Sequence, residues 1–296
     1  MNTLLTLGHG YTAAALAPRR LAAGWRVIGT TRRAEKAARM RADGVEAVIW
    51  PSEDAGERAA LADALEATTH LLVSAGPGED GDPVLADLGS LVAERGRRIT
   101  WLAYLSTTGV YGDRAGGWVD ETDPLDPGTA RGRARVAAEG AWQAFAAEHG
   151  LPLHIFRLAG IYGPGRGPFA KVRAGTARQI VKPGQVFSRI HVEDIATVLE
   201  ASIARPEAAP GGTAVYNVCD NEAAPPQDVL AHAAALLGLP PPPEQAFEEA
   251  EMSPMARSFY AESKRVSNRR MKEQLGVTLR YPTYREGLAA LLAAEG

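Results

Sequence analysis

The chain begins with a short apolar run, NTLLTLG, that stops at a glycine, the pattern of a strand buried on both faces. YTAAALAPRRLAAG follows with helical spacing and closes at Gly24, and WRVIGTT returns to strand. The alternation then repeats. RAEKAARMRADG predicts a helix ending near Gly44, VEAVIWP a third strand, the charged segment 54–67 a helix, and HLLVSAG a fourth strand. Residues 82–95 predict another helix and RITWLAYLST a fifth strand. Strands and helices that alternate this strictly predict an α/β fold built on a doubly wound parallel sheet.

Beyond residue 160 the alternation breaks. GIYGPGRGP is a Gly/Pro-rich loop, HVEDIATVLEASIARP a helix with a polar start and a stop at Pro206, and TAVYNV a late strand added to the same sheet. GLPPPPEQ at 238–245 predicts a rigid polyproline segment or tight connection, and the last 45 residues a small helical cap. The expected division is a main α/β domain over 1–160, with 190–220 returning to it, and a smaller C-terminal cap over 161–189 and 221–296.

Composition narrows the classes of function. The 296 residues are 46% hydrophobic and 23% charged, ordinary for a globular protein. A formal net charge of −3 gives no electrostatic reason for nucleic acid or an anionic membrane as partner. No stretch reaches the roughly 18 apolar residues of a membrane span. The apolar opening lacks a basic n-region, because Arg19 and Arg20 follow it, so the expectation is a cytoplasmic protein. Cys219 is the single cysteine, which leaves no intrachain disulfide and disfavours a thiolate zinc site. The six histidines show no ligand spacing with carboxylates, so no metal is expected. Only five of the 32 basic residues are lysines, so an isolated arginine is weak evidence here.

The chemistry concentrates at the ends of the predicted strands. TLGHGYTAAALA puts Gly8, Gly10 and Ala13 in the G-x-G-x-x-G/A pattern between the first strand and a helix that starts at Tyr11. Gly8 suits a tight turn, Gly10 lets a pyrophosphate approach the backbone, and Ala13 is small enough for close helix–strand packing. A structural turn could use the same glycines, but a place on the first strand of a βαβ unit points to a Rossmann-type dinucleotide site. The second strand ends GTTRRAEK, with Thr31, Arg32 and Arg33 and no acid before Glu35. An acid there would bond a ribose 2′-hydroxyl, whereas arginines accept a 2′-phosphate, so the residues favour NADP, with NAD possible. Ala75, Gly76 and Pro77 in SAGPG supply another strand end at which the cofactor could bind, or a plain loop.

YLSTTGVYGD at 104–113, followed in order by WVDETDPLDP, FRLAGIYGPGR, RIHVEDIA and YNVCDNE, resembles the extended short-chain dehydrogenase/reductase superfamily of the NAD-dependent epimerase/dehydratase type. RVSNRRMKEQLGVTLRYPTYREGL resembles the ending of an atypical, YeeZ-like branch of it. The resemblance implies a Rossmann domain for NAD(P), a smaller C-terminal part closing over the substrate, and a catalytic Ser/Thr, Tyr and Lys. By position the Ser/Thr is Thr107, whose hydroxyl could donate to a substrate oxygen or cap the end of the fifth strand. The resemblance also implies a glutamate four residues after the lysine. Glu139 fits, and counting back puts Arg135 at the lysine position and Arg131 at the tyrosine position. Arginine stays protonated and cannot serve as general acid or base, although Arg135 could hold ribose hydroxyls or a phosphate.

Other residues offer substitutes. Tyr111 and Tyr162, in VYG and IYGPG loops, are candidate phenols or packed rings. YAESK, Tyr260 to Lys264, has the Y-x-x-x-K spacing but lies in the C-terminal segment, away from the expected nicotinamide. His191 is a conceivable base, or a joint made through Glu193 and Asp194; His9 would meet phosphate through its backbone. Asp120, Glu121 and Asp123 are expected to pair with the arginines at 131–135. The expectation is an NADP-preferring oxidoreductase or epimerase without the usual Tyr/Lys pair, acting on an unidentified small molecule. The alternative is a non-catalytic NADP(H)-binding sensor. Arg131, Arg133 and Arg135 start the helix through which the superfamily dimerises, so monomer and homodimer both stay open.

Overall fold

The computed structural model describes residues 1–208 and 212–295. The predicted domain ranges also run through 209–211 and 296, which lie outside the described residues. The alternation read from the sequence becomes β1 (Thr3–Leu7), α1 (Tyr11–Ala22), β2 (Arg26–Thr31), α2 (Ala34–Ala42), β3 (Glu46–Ile49), α3 (Ala55–Ala67), β4 (His70–Val73), α4 (Pro83–Arg95), β5 (Trp101–Thr107) and α5 (Ala130–His149). Two further strands, Leu153–Leu158 and Thr213–Val218, complete a seven-stranded sheet. Its order is Thr213–Val218, Leu153–Leu158, β5, β4, β1, β2, β3. β1 pairs in parallel with both β2 and β4, with Leu5 opposite Ile28 on one side and Leu71 on the other. The strand order reverses between β1 and β4, and ligands bind such sheets at the carboxyl ends beside that switch point.

Burial explains why these strands read as unbroken apolar runs. Leu4, Leu5 and Leu7 of β1 and Leu71, Leu72 and Val73 of β4 are fully buried, because helices cover both faces of the sheet. One face packs on Leu61 and Leu65 of α3, Leu88 and Val92 of α4, and Ala138 and Trp142 of α5. Truncating one such leucine to alanine costs about 2–5 kcal/mol, the lost transfer energy plus the cavity. Asp54 and Asp82 cap α3 and α4 by accepting backbone N–H bonds.

The chain divides into two compact units. The first holds 1–106, 134–157 and 196–216; the second holds 107–133, 158–195 and 217–296. Residues 107–133, expected in the main domain, cluster with the second unit. That unit has its own core of Tyr162, Phe169, Val172, Ala233, Ala234, Tyr284 and Leu288. Three short parallel pairs tie its loops: Gly160–Tyr162 with Arg189–His191, Gln179–Val181 with Glu244–Ala246, and Trp118–Val119 with Arg265–Val266. Its last helix, Tyr284–Ala293, opens with a capping box of Thr283 and Glu286. Among the described residues no helix is long and apolar enough to cross a membrane.

Candidate functional site

The glycine turn forms where the sequence puts it. Gly8 has φ +86°, and a Cβ there would lie 2.8 Å from the Ala75 nitrogen, so the end of β1 presses against the segment after β4. The Gly8 N–H donates to Thr30 Oγ1 at 2.8 Å and the His9 N–H to the Thr30 carbonyl at 2.8 Å, which fastens the turn to β2. Gly10 differs. Its φ is −90° and a Cβ would meet nothing closer than 3.8 Å, so packing within the protein does not require glycine. Gly10 starts α1 without a side-chain cap, unlike α3 and α4, and α1 has no acid in its first turn. An uncapped helix start leaves N–H groups free to donate to an anion. Ala13 is fully buried, as close helix–sheet packing needs, and Tyr11 is half-buried at the helix start.

His9 turns its ring inward. The imidazole is 4% exposed, bonds Thr6 Oγ1 through Nδ1 at 2.8 Å, and lies over Gly29, where a Cβ would collide with it. Burial, and after it the charge of Lys36, lowers its pKa to about 4, so the ring is neutral at neutral pH. Only its backbone belongs to the site. Lys36, on α2, donates to the His9 carbonyl and brings a cation to the glycine turn. The motif reading missed it; its signal is a lysine one turn after Arg32 and Arg33.

Thr31 is buried at the end of β2, and its Oγ1 accepts the Arg33 N–H at 3.3 Å. Arg32 and Arg33 are exposed, and neither guanidinium has a partner among the described residues. Elsewhere in this unit Arg19 and Arg20 pair with Glu200, Arg26 with Glu46 and Arg95 with Glu66. Two unpaired arginines at the positive end of α2 oppose its dipole, with only Glu35 in the first turn to offset them.

On α5 the two positions of interest have separate surroundings. Arg135 Nη1 donates to the Leu105 carbonyl at 2.6 Å and the Tyr104 hydroxyl at 3.2 Å. A Cβ on Gly76 would lie 2.5 Å from Arg135 Nη2, so the guanidinium covers the Ala75–Gly76–Pro77 segment after β4. Burial raises the Tyr104 pKa to about 12 despite the neighbouring Arg135 charge, so Tyr104 is no acid–base substitute at neutral pH. Glu139 is buried and pairs with Arg157 at 2.8 Å, while Ser106 Oγ donates to it at 2.5 Å. Arg131, in the second unit, is exposed and lies over the Phe259 ring.

Thr107 ends β5 and its Oγ1 accepts the Gly109 N–H at 3.1 Å, capping the short 3₁₀ turn Thr108–Tyr111. That bond uses a lone pair and leaves the hydroxyl proton available to a ligand. Tyr111 is fully buried and donates to Asn217 Oδ1 at 2.7 Å. Tyr162 sits over Gly287, with burial raising its pKa well above the ordinary phenol value. Both rings are buried and packed where they stand. Tyr260 follows the helix Pro254–Phe259 instead of lying on one with Lys264, and Lys264 pairs with Glu262 at 2.7 Å, so YAESK forms no Tyr–Lys pair. The acidic cluster also departs from expectation. Glu121 accepts the Asn217 N–H and lies 3.7 Å from Arg270, and Asp120 bonds Thr122, because the local chain supplies nearer donors than the arginines at 131–135. His191 accepts the Glu193 N–H, burial lowers its pKa to about 4, and Asp194 accepts the Arg280 and Tyr281 N–H groups, a structural joint.

Residues 4–219 match the NAD dependent epimerase/dehydratase family. The chain belongs to that family. It is 34% identical over 256 residues to protein YeeZ of Escherichia coli (strain K12), covering 82% of this chain and 86% of that protein. A solved structure of a functionally unknown conserved protein from Silicibacter pomeroyi DSS is 56% identical, with a TM-score of 0.91 over 99% of both chains. The dTDP-glucose 4,6-dehydratase of Bacillus anthracis str. Ames, solved in complex with NAD, has the same fold at 16% identity, a TM-score of 0.78 over 99% of this chain and 96% of that one. The family match spans the glycine turn, the β2 arginines, Thr107 and α5.

Proposed function

We propose that the protein is an NADP-preferring oxidoreductase or epimerase that works without the Tyr/Lys pair. The observation that carries the cofactor reading is the conjunction at the carboxyl ends of β1 and β2: an uncapped helix start at Gly10, a glycine that packing within the protein does not require, and two unpaired exposed arginines beside it. The α1 N–H groups would hold the pyrophosphate, and Arg32 and Arg33 the 2′-phosphate. Their unfavourable place at the α2 N-terminus is offset once a phosphate lies against them. Lys36 adds to the same field. Arg135 would face the ribose and phosphate groups near Gly76 as a fixed cation. The dinucleotide, when bound, supplies or takes a hydride. Thr107 would donate a hydrogen bond to the substrate oxygen, and water would carry the coupled proton, since arginine at 131 and 135 cannot.

A second reading has its own support. Arg135 is tethered to Leu105 and Tyr104 over Gly76, a fixed posture that suits holding a cofactor as well as processing it. A sensor would bind NADPH and never consume it. The cytoplasm, with its reducing poise, suits either reading, because the lone thiol of Cys219 is buried and unpaired.

Calorimetric titration of the cofactor-stripped protein with NADPH and NADH tests the proposal. NADPH should bind at least about tenfold more tightly, a gap of about 1.4 kcal/mol, and an Arg32→Ala, Arg33→Ala double variant should close it. Equal affinity for the two in the wild type would remove the 2′-phosphate role, and no binding of either would remove the dinucleotide function. With NADPH bound, oxidation by carbonyl or sugar-nucleotide substrates that falls in Thr107→Val separates enzyme from sensor.

A further inference from the structure

A mostly buried arginine ordinarily has a carboxylate partner. In the first unit Arg157 obeys, paired with Glu139 at 2.8 Å. Arg189, partly buried on the strand Arg189–His191 of the second unit, has none. Its Nη1 donates to the carbonyls of Phe187 at 2.9 Å and Ala224 at 3.0 Å. Among the described residues no carboxylate lies within ion-pairing distance, and Nε and Nη2 have no hydrogen-bond partner. Burial lowers its pKa, with the charge of Asp220 acting in the opposite direction.

Neighbouring groups are incomplete as well. The Tyr284 hydroxyl and Asp220 Oδ2 are buried without a partner, in side chains 1% and 3% exposed. Asp220, Tyr284, Tyr162 and Tyr260 are the groups whose charges act on Arg189. Ala224, whose carbonyl holds Nη1, shares a core with Tyr162 and Tyr284, and the Arg189 carbonyl accepts the Asp220 N–H at 2.7 Å. Buried polar groups without partners are expensive, and several in one place call for a common explanation.

We propose that Arg189, with the Tyr284 hydroxyl, binds an anionic oxygen group of a small ligand, a carboxylate or a phosphate ester. Nη1 is fixed by two carbonyls, which orients the guanidinium, and the remaining Nε and Nη2 edge is the fork that matches two oxygens of one anion. Asp220 is compatible with an anion. Burial raises its carboxyl to about 7, so near neutrality it can hold a proton and donate. Only the identification of this ligand with a substrate rests on the enzymatic reading above; the site itself does not.

The isotope-edited NMR spectrum of arginine Nε–H groups in the full-length, cofactor-free protein tests this, with acetate and inorganic phosphate as probes at constant ionic strength. The Arg189 resonance, identified by its loss in Arg189→Lys, should shift saturably with one of them. Saturation by acetate identifies a carboxylate site and saturation by phosphate a phosphate-ester site. Tyr284→Phe should weaken the binding about tenfold, and Asp220→Asn should preserve or strengthen it. A linear, non-saturating shift with both probes would overturn the proposal, as would an unchanged affinity in Tyr284→Phe. The reading is local to Arg189, so anions at the glycine turn do not enter it. Failure of NADPH to bind would leave this result standing, and failure here would leave the dinucleotide site standing.

Discussion

Gly8 and Gly10 stand two residues apart for different physical reasons. Gly8 has a left-handed φ of +86° and no room for a Cβ beside Ala75, so the fold itself requires it. Gly8→Ala should destabilise the protein by about 1–3 kcal/mol, read from the urea unfolding midpoint. At Gly10 an alanine fits the backbone and meets only ordinary contacts at 3.8 Å. Gly10→Ala should change stability by less than about 0.5 kcal/mol yet weaken NADPH at least about tenfold, because the methyl occupies the space a pyrophosphate needs. Wild-type NADPH affinity in Gly10→Ala would mean that the phosphates do not approach there. The sequence motif treats both glycines as one signal, and only the geometry divides them into one that the fold requires and one that it does not.

At the scale of elements, the joint between β5, α5 and the strand Leu153–Leu158 depends on one carboxylate. Glu139 takes a hydroxyl from Ser106 and a guanidinium from Arg157, all buried. Removing Glu139 strands a buried cation, so Glu139→Ala should cost roughly 3–5 kcal/mol, whereas replacing both partners, Glu139→Leu with Arg157→Met, should cost clearly less. Chemical denaturation of the two variants decides it; equal losses would show that the joint depends on packing. The same residues explain what the sequence hid. β1 to β5 and α1 to α4 were legible because both-face burial makes their strands apolar. LHIFRL does not stand out as a strand in the sequence because His154 and Arg157 interrupt it, and their partners, Ser202 and Glu139, are 48 and 18 residues away. In the site, the glycine turn and the β2 arginines were legible because local spacing encodes them. Lys36 on the His9 carbonyl and Arg135 over Gly76 were not, since both contacts depend on how separate elements pack.

Across the whole molecule the distinctive electrostatic feature is its histidines. His9, His70, His154 and His191 are each buried, and burial lowers each pKa from 6.5 to about 4. Below the unfolded value of about 6.5 the unfolded chain takes up protons that the folded chain refuses, so each histidine's contribution to stability falls with pH until about 4, by up to about 3 kcal/mol. Asp220, raised to about 7, and Glu121, raised in the same direction by burial, act oppositely: folded, they keep protons that the unfolded chain has released. Their contribution therefore grows as the pH falls toward the ordinary carboxylate range. Four groups oppose two, so the unfolding midpoint should drop steeply between about pH 6.5 and 4.5 and change little between about 7 and 8. Replacing His70 and His154 with glutamine should remove about half of the histidine part of that drop. A midpoint that stays level from about pH 7 to 5 would show that the imidazoles gain protons within the folded protein, with water reaching rings that the packing holds dry.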